Sequence, residues 1–360
     1  MAIFTDVICD VTKEGRKLPT SEYKSNGKYP IIDQGQNHIA GYTDETEGLF
    51  SNVPAIIFGD HTRVIKYVDV PFFIGADGVK ILKAKDKKAN HKFLYYALSS
   101  AKIPNTGYNR HFKWLKEVDI PEYSAKEQND IVVQLEKIDD LISVRKQQLY
   151  NLDELVKSRF IELFGDVANS PKYSGVPLGT ICSTLSGGTP TTKVPEYYQG
   201  DIPWISTPYL GNNHINGSSA KAYITEDAIK NSATHLITAN TIMFGIRVGV
   251  GKSSIIDEPM CANQDIVALM GIDTNKYNLL FVKHTLDSYQ SHFDSIKKGA
   301  TILGITTDDL KKVLIPNVDI GLQNQFATFV EQTDKSKLAV QQSLEKLETL
   351  KKALMQKYFG

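Results

Sequence analysis

The chain has 360 residues, 41% of them hydrophobic, and it carries 41 basic and 41 acidic side chains. This length indicates two or three domains. A net charge of zero disfavours a chain that holds nucleic acid tightly by itself, because neutralised phosphates supply most non-specific affinity. Three widely spaced cysteines exclude a disulfide framework and a zinc site. The lack of an apolar run near 18 residues excludes a membrane span, and the acidic residues at the start exclude a signal peptide. We therefore expect a soluble, cytoplasmic protein.

The first domain, residues 1–113, is predicted to be rich in short strands. Apolar runs separated by Gly and Asp clusters indicate strands and turns, and one helix is expected at 92–100. The strand-like runs are 55–58, 64–68 and 79–82. The domain has 16 Lys and Arg against 12 Asp and Glu. This excess is either an ordinary solvated surface or a surface that faces phosphate.

Residues 114–165 are predicted to be a hinge followed by a long helix. After Ile120-Pro121, the pair Ser124 and Glu127 forms a capping box, and neither Pro nor Gly occurs before Gly165, which ends the helix. Forty residues at a rise of about 1.5 Å give a rod of about 60 Å. Apolar residues at alternating spacings of three and four predict a coiled-coil seam. The seam consists of Leu135, Ile138, Ile142, Leu149, Leu152, Val156 and Leu163.

The second half of the chain has the same layout. Residues 166–308 are predicted to be a linker, over 169–177, and a second strand-rich domain with a helix at 277–288. Residues 309–360 form a second hinge and helix, the helix starting near 321. Its predicted seam carries Val330, Val340, Leu344, Leu347 and Leu354, with Phe326 before them.

An internal repeat relates residues 115–165 to residues 310–360 without a gap, at an offset of 195 residues. Leu115–Pro121 falls on Leu310–Pro316, Gln128-Asn129 on Gln323-Asn324, and Phe164-Gly165 on Phe359-Gly360. A register held this long indicates a duplicated unit. The apolar stripe of each helix must be covered. We expect the helices to cover each other as an antiparallel, pseudo-two-fold pair with the heads at opposite ends; the alternative is that each helix folds back on its own head.

Several motifs resemble the specificity subunit of Type I restriction–modification systems. Ile120-Pro121…Glu127-Gln128 and Ile315-Pro316…Gln323 resemble the entry to that family's conserved regions, although Leu322 replaces the second Glu. Ser186–Thr191, which reads SGGTPT, resembles the opening of a target recognition domain, and 196–205 continues it.

The resemblance implies an α+β fold with two target recognition domains joined by two spacer helices, which are the conserved regions. It implies a subunit without catalysis or a cofactor of its own that reads a bipartite double-stranded DNA target. It also implies partners: two modification subunits that use S-adenosylmethionine, and motor-nuclease subunits that use ATP and Mg²⁺.

Polar, Gly-containing loops supply the candidate DNA contacts, because Arg recognises guanine edges and Asn or Gln recognises adenine edges. For each residue the competing interpretation is a satisfied surface turn. The candidates are Gln34, Gln36, Asn37, His61, Arg63, Asn109, Arg110 and His111 in the first domain and Ser186, Thr189, Thr191, Lys193, Ser206, Arg247, Lys252, Lys298 and Thr301 in the second.

Enzyme motifs are incomplete. Gly251-Lys252-Ser253 suggests a P-loop, but Ile246 stands where the first glycine belongs. The sequence has no Pro-Asp nuclease signature, no Asn-Pro-Pro-Tyr or Asp-Pro-Pro-Tyr methyltransferase motif, and no HxxxH or HExxH metal spacing. The alternatives that remain are a catalytic fusion fragment, a two-headed protein-binding scaffold, and a specificity subunit of another restriction-type system.

Overall fold

A computed structural model of the chain describes residues 1–75, 77–299 and 302–360. It forms two compact units. Unit 1 is made of Met1–Gln147 and Gln341–Gly360, and unit 2 of Gln148–Val340. Each unit contains one strand-rich head together with part of each of two long helices.

The head of unit 1 is built mainly from two four-stranded sheets. Its elements, with the long helix that follows, are β1 (Ala2–Ile3), α1 (Phe4–Val7), β2 (Ile8–Asp10), β3 (Lys17–Leu18), β4 (Tyr29–Ile32), β5 (Gly41–Thr43), β6 (Ala55–Gly59), β7 (Ile65–Val68), β8 (Phe73–Gly75), β9 (Val79–Ala84), α2 (His91–Ser99), α3 (Phe112–Leu115), β10 (Asp119–Ile120) and α4 (Ala125–Phe164), with 3-10 turns at Thr12–Glu14 and Thr20–Glu22. The antiparallel sheet has the order β2-β9-β6-β7, and the mixed sheet β3-β8-β4-β5. Every residue of β6 is buried, as its unbroken apolar sequence predicts.

The head of unit 2 has the same plan. Its elements are β11 (Gly165–Asp166), β12 (Ser170–Pro171), β13 (Gly175–Pro177), α5 (Leu178–Ile181), β14 (Ser183–Ser186), β15 (Ile202–Ile205), β16 (His214–Ile215), β17 (Ala222–Ile224), α6 (Glu226–Lys230), β18 (Thr241–Gly245), β19 (Ser253–Ile256), β20 (Cys261–Ala262), β21 (Ile266–Met270), α7 (Leu279–Ser288), α8 (Gln290–Ile296), α9 (Thr307–Lys311), β22 (Leu314–Pro316) and α10 (Ile320–Phe359), with 3-10 turns at Pro195–Tyr198, Thr207–Tyr209 and Gly217–Ser219. The main sheet, β14-β21-β18-β19-β16, repeats the four-stranded order of unit 1 and adds β16, and the second sheet is β17-β15-β20.

A short strand pair closes each head at its base. In unit 1 β1 pairs with β10, and in unit 2 β13 pairs with β22. Part of the segment predicted as a linker, 169–177, therefore belongs to the second head. The sequence does not reveal this, because Val176 pairs with Ile315, far along the chain.

The long helices have the same bounds once the repeat offset is applied, since Ala125–Phe164 shifted by 195 is Ile320–Phe359. Glu127 N donates to Ser124 Oγ at 3.3 Å and Ser124 N donates to Glu127 Oε2 at 2.8 Å, which confirms the predicted capping box. Gly165 follows α4 at a φ of +80°, the left-handed conformation that a glycine adopts most easily.

In each unit the two helices run antiparallel. In unit 1, Gln134 accepts from Tyr358 Oη at 3.1 Å and Asp139 pairs with Lys351 at 2.5 Å. In unit 2, Asp153 pairs with Lys337 at 2.6 Å and the Phe160 and Phe326 rings lie 5.3 Å apart. Within each unit, the residue number along α4 therefore rises as the number of its partner in α10 falls. The predicted α+β class, with two strand-rich domains and two long antiparallel helices, is confirmed.

The head and the opposite helix together cover the predicted seam. In unit 1, Leu135 lies in one apolar cluster with the head residue Phe93, and Phe359 of α10 packs against that cluster. In unit 2, Val156 and Val330 lie in the core of the second head. The seam residues Leu135, Ile138, Val156, Val330 and Leu344 are buried, and Ile142, Leu149, Leu152, Leu163, Val340, Leu347 and Leu354 are half-buried.

The repeated Gln-Asn pair joins each long helix to its head. Gln128 Nε2 donates to Tyr123 O at 2.9 Å, and Gln323 Nε2 donates to Val318 O, the equivalent atom, at 3.0 Å. Asn129 and Asn324 each accept a bond at 2.9 Å from the asparagine that caps the head helix, Asn90 or Asn278. The repeat therefore preserves a structural junction.

Candidate nucleic-acid interface

Four loops of unit 1 meet at one end of the antiparallel sheet, where β6 ends and β9 begins. We call residues 33–38, 60–64, 77–78 and 103–111 the head-one loop cluster. Asp60 holds three of these segments together. Its N donates to Gly78 O at 2.6 Å, its O accepts from His111 N at 2.8 Å, and its carboxylate accepts from Phe112 N at 2.7 Å. The side chain is only 3% exposed, so this carboxylate has a structural role.

Gln34 ties the remaining loop to the cluster. Its Nε2 donates to Asp77 O at 2.9 Å and its Oε1 accepts from His61 N at 3.2 Å, while Thr62 Oγ1 donates to Gln34 O at 2.6 Å. Because its amide is used internally, this predicted contact residue orients its neighbours. Gln36 and Asn37, which follow it, are exposed.

Lys66 is a buried cation beneath the same loop. Its Nζ donates to Asp33 O at 2.8 Å and to Asn37 O at 2.5 Å. Burial lowers the pKa of the Lys66 ammonium, and the Asp33 carboxylate opposes that shift. The positive charge therefore holds the main chain of 33–37 in a fixed curve.

His111 does not face solvent, contrary to the sequence prediction. It is fully buried, its Nδ1 lies 2.9 Å from Asp60 O, and its ring packs at 5.3 Å from Trp114. Its apolar surroundings and this internal bond make it part of the loop frame. Arg63 is half-buried with a φ of +62°, and its Nη1 donates to Ile103 O at 3.3 Å.

Asn109 and Arg110 remain exposed beside Tyr108. The Tyr108 ring stacks on His61 at 4.6 Å with an interplanar angle of 7°, and Tyr108 is 88% exposed. Asp77 lies close by: a hydrogen bond from Lys17 is the largest cause lowering the pKa of its carboxyl, with smaller contributions from Arg110 and His61. Cationic, amide and aromatic side chains thus share one surface.

Unit 2 places the matching loops at the matching end of its sheet, where β14 and β18 end and β19 and β21 begin. We call residues 186–193, 246–252, 263–265, 297–299 and 302–306 the head-two loop cluster. Ile246 N donates to Asp265 O at 2.9 Å and Ile246 O accepts from Ile305 N at 2.9 Å. These bonds resemble the main-chain bonds of Asp60, although the donor Ile305 lies one residue before Thr306, which matches His111.

The SGGTP motif has a packing role. Gly187 N donates to Ile266 O at 2.9 Å and Gly188 N to Ala262 O at 2.8 Å. Trp204 Nε1 donates to Gly188 O at 3.0 Å. A Cβ on Gly188 would lie 2.3 Å from a main-chain carbon of Ala233, so only glycine fits between these two backbones.

The Gly251-Lys252-Ser253 segment is a tight connection between two antiparallel strands. Gly245 N donates to Lys252 O at 2.8 Å, Gly249 and Gly251 have φ values of +90° and +93°, and β19 begins at Ser253. A P-loop opens a helix, so the incomplete motif is not a phosphate cradle of that type.

A cleft of about 410 Å³ opens at this cluster, lined by Arg247, Lys298, Ile302 and Asp309 among others. Thr306 and Asp309 form a capping box at the start of α9 on its rim. Arg247 and Lys298 are exposed, so the cleft has cations at its mouth and isoleucine side chains in its wall, a combination suited to an anionic ligand with flat apolar parts.

The placement of the predicted contact residues divides them into three groups. Those that are exposed are Gln36, Asn37, Asn109, Arg110, Ser186, Thr189, Thr191, Lys193, Arg247, Lys252 and Lys298; those that are half-buried are Gln34, His61, Arg63 and Ser206; and His111 is buried. Thr301 lies outside the described residues. Tyr108, Ile302 and Leu303 were missed, although the repeat offset places Tyr108 on Leu303.

Among the residues that the structure describes, no cluster of His, Cys, Asp or Glu could hold a metal ion. None of the described helices is long and apolar enough to cross a membrane.

Comparison with known proteins identifies the family of this chain. The family model of the Type I restriction modification DNA specificity domain matches residues 6–153 and 172–350. The Type I restriction enzyme EcoR124I/EcoR124II specificity subunit of Escherichia coli is 28% identical in an alignment 345 residues long, which covers 88% of this chain and 82% of that protein. The Type I restriction enzyme MjaIX specificity subunit of Methanocaldococcus jannaschii is 30% identical over 174 residues, which is 47% of this chain and 40% of that protein.

Two solved structures share the fold. The S subunit of a Type I restriction–modification system from M. genitalium superposes with a TM-score of 0.61 at 18% identity, covering 100% of this chain and 95% of that one. A chain from a structure on complex assembly and conformational transition of the type I R-M system gives 0.55 at 16% identity, covering 99% and 96%. Because the family model matches both repeats of the chain, the protein belongs to the Type I restriction modification DNA specificity family.

Proposed function

We propose that this chain is the sequence-reading subunit of a Type I restriction–modification complex, and that each head reads one half of a split double-stranded DNA target. The observation that carries the proposal is the recurrence of one loop cluster at the same sheet end in both heads. Each cluster combines a rigid main-chain frame with exposed cationic and amide side chains. The family membership supports the same function.

The proposed contacts are of two kinds. Arg110, Arg247 and Lys298 are exposed cations that would hold phosphates or guanine edges, and Gln36 and Asn37 would read adenine edges. The chain has no net charge, so we expect modest affinity from the chain alone and tighter binding in a complex that adds phosphate contacts.

The long helices would recruit the partners. Leu155 and Leu350, which the repeat places on each other, are 49% and 48% exposed, and Val144 and Leu338 are 50% and 59% exposed. Apolar side chains left open on a paired helix favour a protein partner. Equivalent leucines in the two repeats suit two copies of one subunit, so we propose two modification subunits, with motor-nuclease subunits completing the complex.

We propose that the chain performs no catalysis and has no cofactor of its own. In the assembled complex, the modification subunits would use S-adenosylmethionine and the motor-nuclease subunits ATP and Mg²⁺. The incomplete enzyme motifs in the sequence support this assignment.

Co-expression with the modification subunit and genome-wide mapping of methylated bases tests the function. We expect methylation at one split sequence only when the chain is present. Exchanging the first head for that of another family member should change one half of the target, and Val70→Ala, at the sheet end away from the loop cluster, should change neither. Methylation of every sequence alike, or transfer of methyl groups by the chain alone, would contradict the proposal.

A further inference from the structure

Each head exposes a large apolar side chain four residues before a short helix, Tyr108 before α3 and Leu303 before α9. Tyr108 is 88% exposed, and Leu303, which lies 195 residues further on, is 57% exposed, with Ile302 beside it at 54%. The two loops lead into α3 and α9. An exposed apolar residue occurs at this place in both heads, but it is tyrosine in one and leucine in the other. This pattern suggests that each head uses the residue for a contact of its own.

In the first head an aromatic contact orients the tip. The Tyr108 ring stacks on His61 at 4.6 Å, and His61 lies against Gly78, where an added Cβ would come within 2.7 Å of His61 Cδ2. Below the ring, Gly107 turns the chain at a φ of +76°. The aromatic pair therefore keeps its orientation without a ligand, so little entropy is lost when a flat group stacks on it.

In the second head the main chain holds the tip. Lys298 N donates to Gly304 O at 2.9 Å and Gly304 N donates to Lys298 O at 3.0 Å. Ile305 N then joins the loop to Ile246 O at 2.9 Å. Ile302 and Leu303 lie between these anchors.

Cations lie near both tips. Arg110 follows Tyr108 by two residues and, like the His61 on which Tyr108 stacks, contributes to lowering the pKa of Asp77. Arg247 and Lys298 line the same cleft as Ile302. An apolar tip flanked by cations matches the order of chemical groups across a DNA groove, where phosphates border the stacked bases. A purely apolar protein partner would leave these charges without counterions.

We propose that Tyr108 and Leu303 are apolar wedges that each enter a base step of their own half-site, so that each head reads how easily that step unstacks as well as its base edges. This inference rests on the proposed function. Proteins that insert apolar side chains between bases obtain specificity from the deformability of the step. The tyrosine offers a stacking face, whereas the leucine offers an aliphatic wedge, so the two half-sites should tolerate different steps.

The test uses the complex of the full chain with its modification subunit and duplexes carrying the mapped target. 2-Aminopurine is placed at successive positions of each half, excluding the methylated base, because methyltransferases flip that base themselves. With the wild-type chain we expect fluorescence to rise at one step in each half. Tyr108→Ala should abolish the rise in one half and weaken binding about tenfold or more, and Leu303→Ala should act on the other half.

Three controls make the result specific. Tyr108→Phe keeps the stacking face and should bind within about twofold of wild type, which shows that the ring and not the hydroxyl is needed. Val70→Ala removes another exposed side chain of the first head, 49% exposed, and should leave both signals intact. Binding of an unrelated duplex should be the same for Tyr108→Ala and wild type.

The inference is overturned if the wild-type complex binds its split target with no rise at any step, or if Tyr108→Ala weakens cognate and unrelated duplexes by the same factor. A wild-type complex with no split target at all would instead overturn the proposed function, and the inference with it.

Discussion

The two heads hold equivalent loops with different chemistry. In the first, the Asp60 carboxylate accepts from Phe112 N at 2.7 Å. In the second, Ile246 stands at the matching place; its main chain accepts from Ile305 N at 2.9 Å, and its side chain packs in the apolar core instead of accepting a hydrogen bond. Both heads therefore have a main-chain hydrogen bond from this position to the loop before the short helix. Only the first head adds a side-chain hydrogen bond, from the Asp60 carboxylate.

A second matched position lies on the head helix, where the capping residues Asn90 and Asn278 set the register. Tyr96 in the first head donates to Asp139 Oδ2 at 2.9 Å. The equivalent His284 packs edge-on against Phe326 at 5.3 Å and leaves its Nε2 buried without a hydrogen bond. The duplicated frame thus resides in the backbone, the capping residues and the Gln-Asn junction, whereas the side chains at these two matched positions have diverged.

The largest expected difference concerns the phenylalanine that ends each long helix. Phe164 is fully buried, at 4.7 Å from the Phe281 ring, whereas the equivalent Phe359 is half-buried against Phe93 at 5.3 Å. Phe164→Ala should lower the free energy of unfolding of unit 2 by about 3–5 kcal/mol. Phe359→Ala should cost unit 1 about 1–2 kcal/mol, since less apolar area is lost. Calorimetry of both variants measures the two losses of unfolding free energy. Equal losses would contradict the expectation that Phe164 contributes more than Phe359.

The next effect is a dependence on pH that His284 adds in the second head. Burial lowers the pKa of His284 to about 4, opposed by Asp287 and reinforced by Lys283 and Lys337. Between pH 6.5 and 4 the unfolded chain binds a proton that the folded unit does not, so stability is full above pH 6.5 and falls as the pH drops, by about 3 kcal/mol at most.

His284→Tyr, which introduces the residue found at this position in the first head, should remove this component from the pH dependence of unfolding by urea. Tyr96→Phe, at the equivalent position, should lose a hydrogen bond worth about 1 kcal/mol without altering the slope between pH 4 and 6.5. An unchanged slope in His284→Tyr would exclude this histidine as the source.

Asp60 offers a smaller and more local effect. Asp60→Ala leaves the Phe112 N–H buried without its acceptor and should cost about 2 kcal/mol, with faster hydrogen exchange at the amides of 111 and 112. Asp60→Asn keeps an acceptor oxygen and should cost less than half as much. Ile246→Ala serves as the comparison: it should loosen apolar packing but retain protection at Ile305, because that bond uses the main chain. Loss of protection at Ile305 would contradict the proposed frame.

The remaining effects concern DNA binding and not the stability of the chain. Arg247→Ala should weaken binding by about 1–3 kcal/mol and relax one half-site if the side chain reads a base, or weaken all sequences alike if it holds a phosphate. Arg110→Ala should act in the same way on the other half. Competition binding at two salt concentrations separates the two roles. If both variants affect the same half-site, the assignment of one head to each half is wrong.

Much of the architecture follows from sequence because it depends on local or repeated signals. The capping box at Ser124, the glycine at 165 and the uninterrupted apolar period define the first long helix, and the repeat transfers those bounds to the second. The helices predicted at 92–100 and 277–288 occur as His91–Ser99 and Leu279–Ser288. Each of these signals acts within a few residues, where hydrogen bonding and side-chain spacing decide the conformation.

The candidate surface depends on tertiary structure. Asp60 and His111 are 51 residues apart in sequence, and no local property distinguishes the buried His111 from the exposed Arg110. Gln34 looks like a base-reading amide until its bonds to Asp77 and His61 are known. Strand register brings these loops to one sheet end, and the closeness of that packing decides which polar side chains are used up internally and which remain free for a ligand.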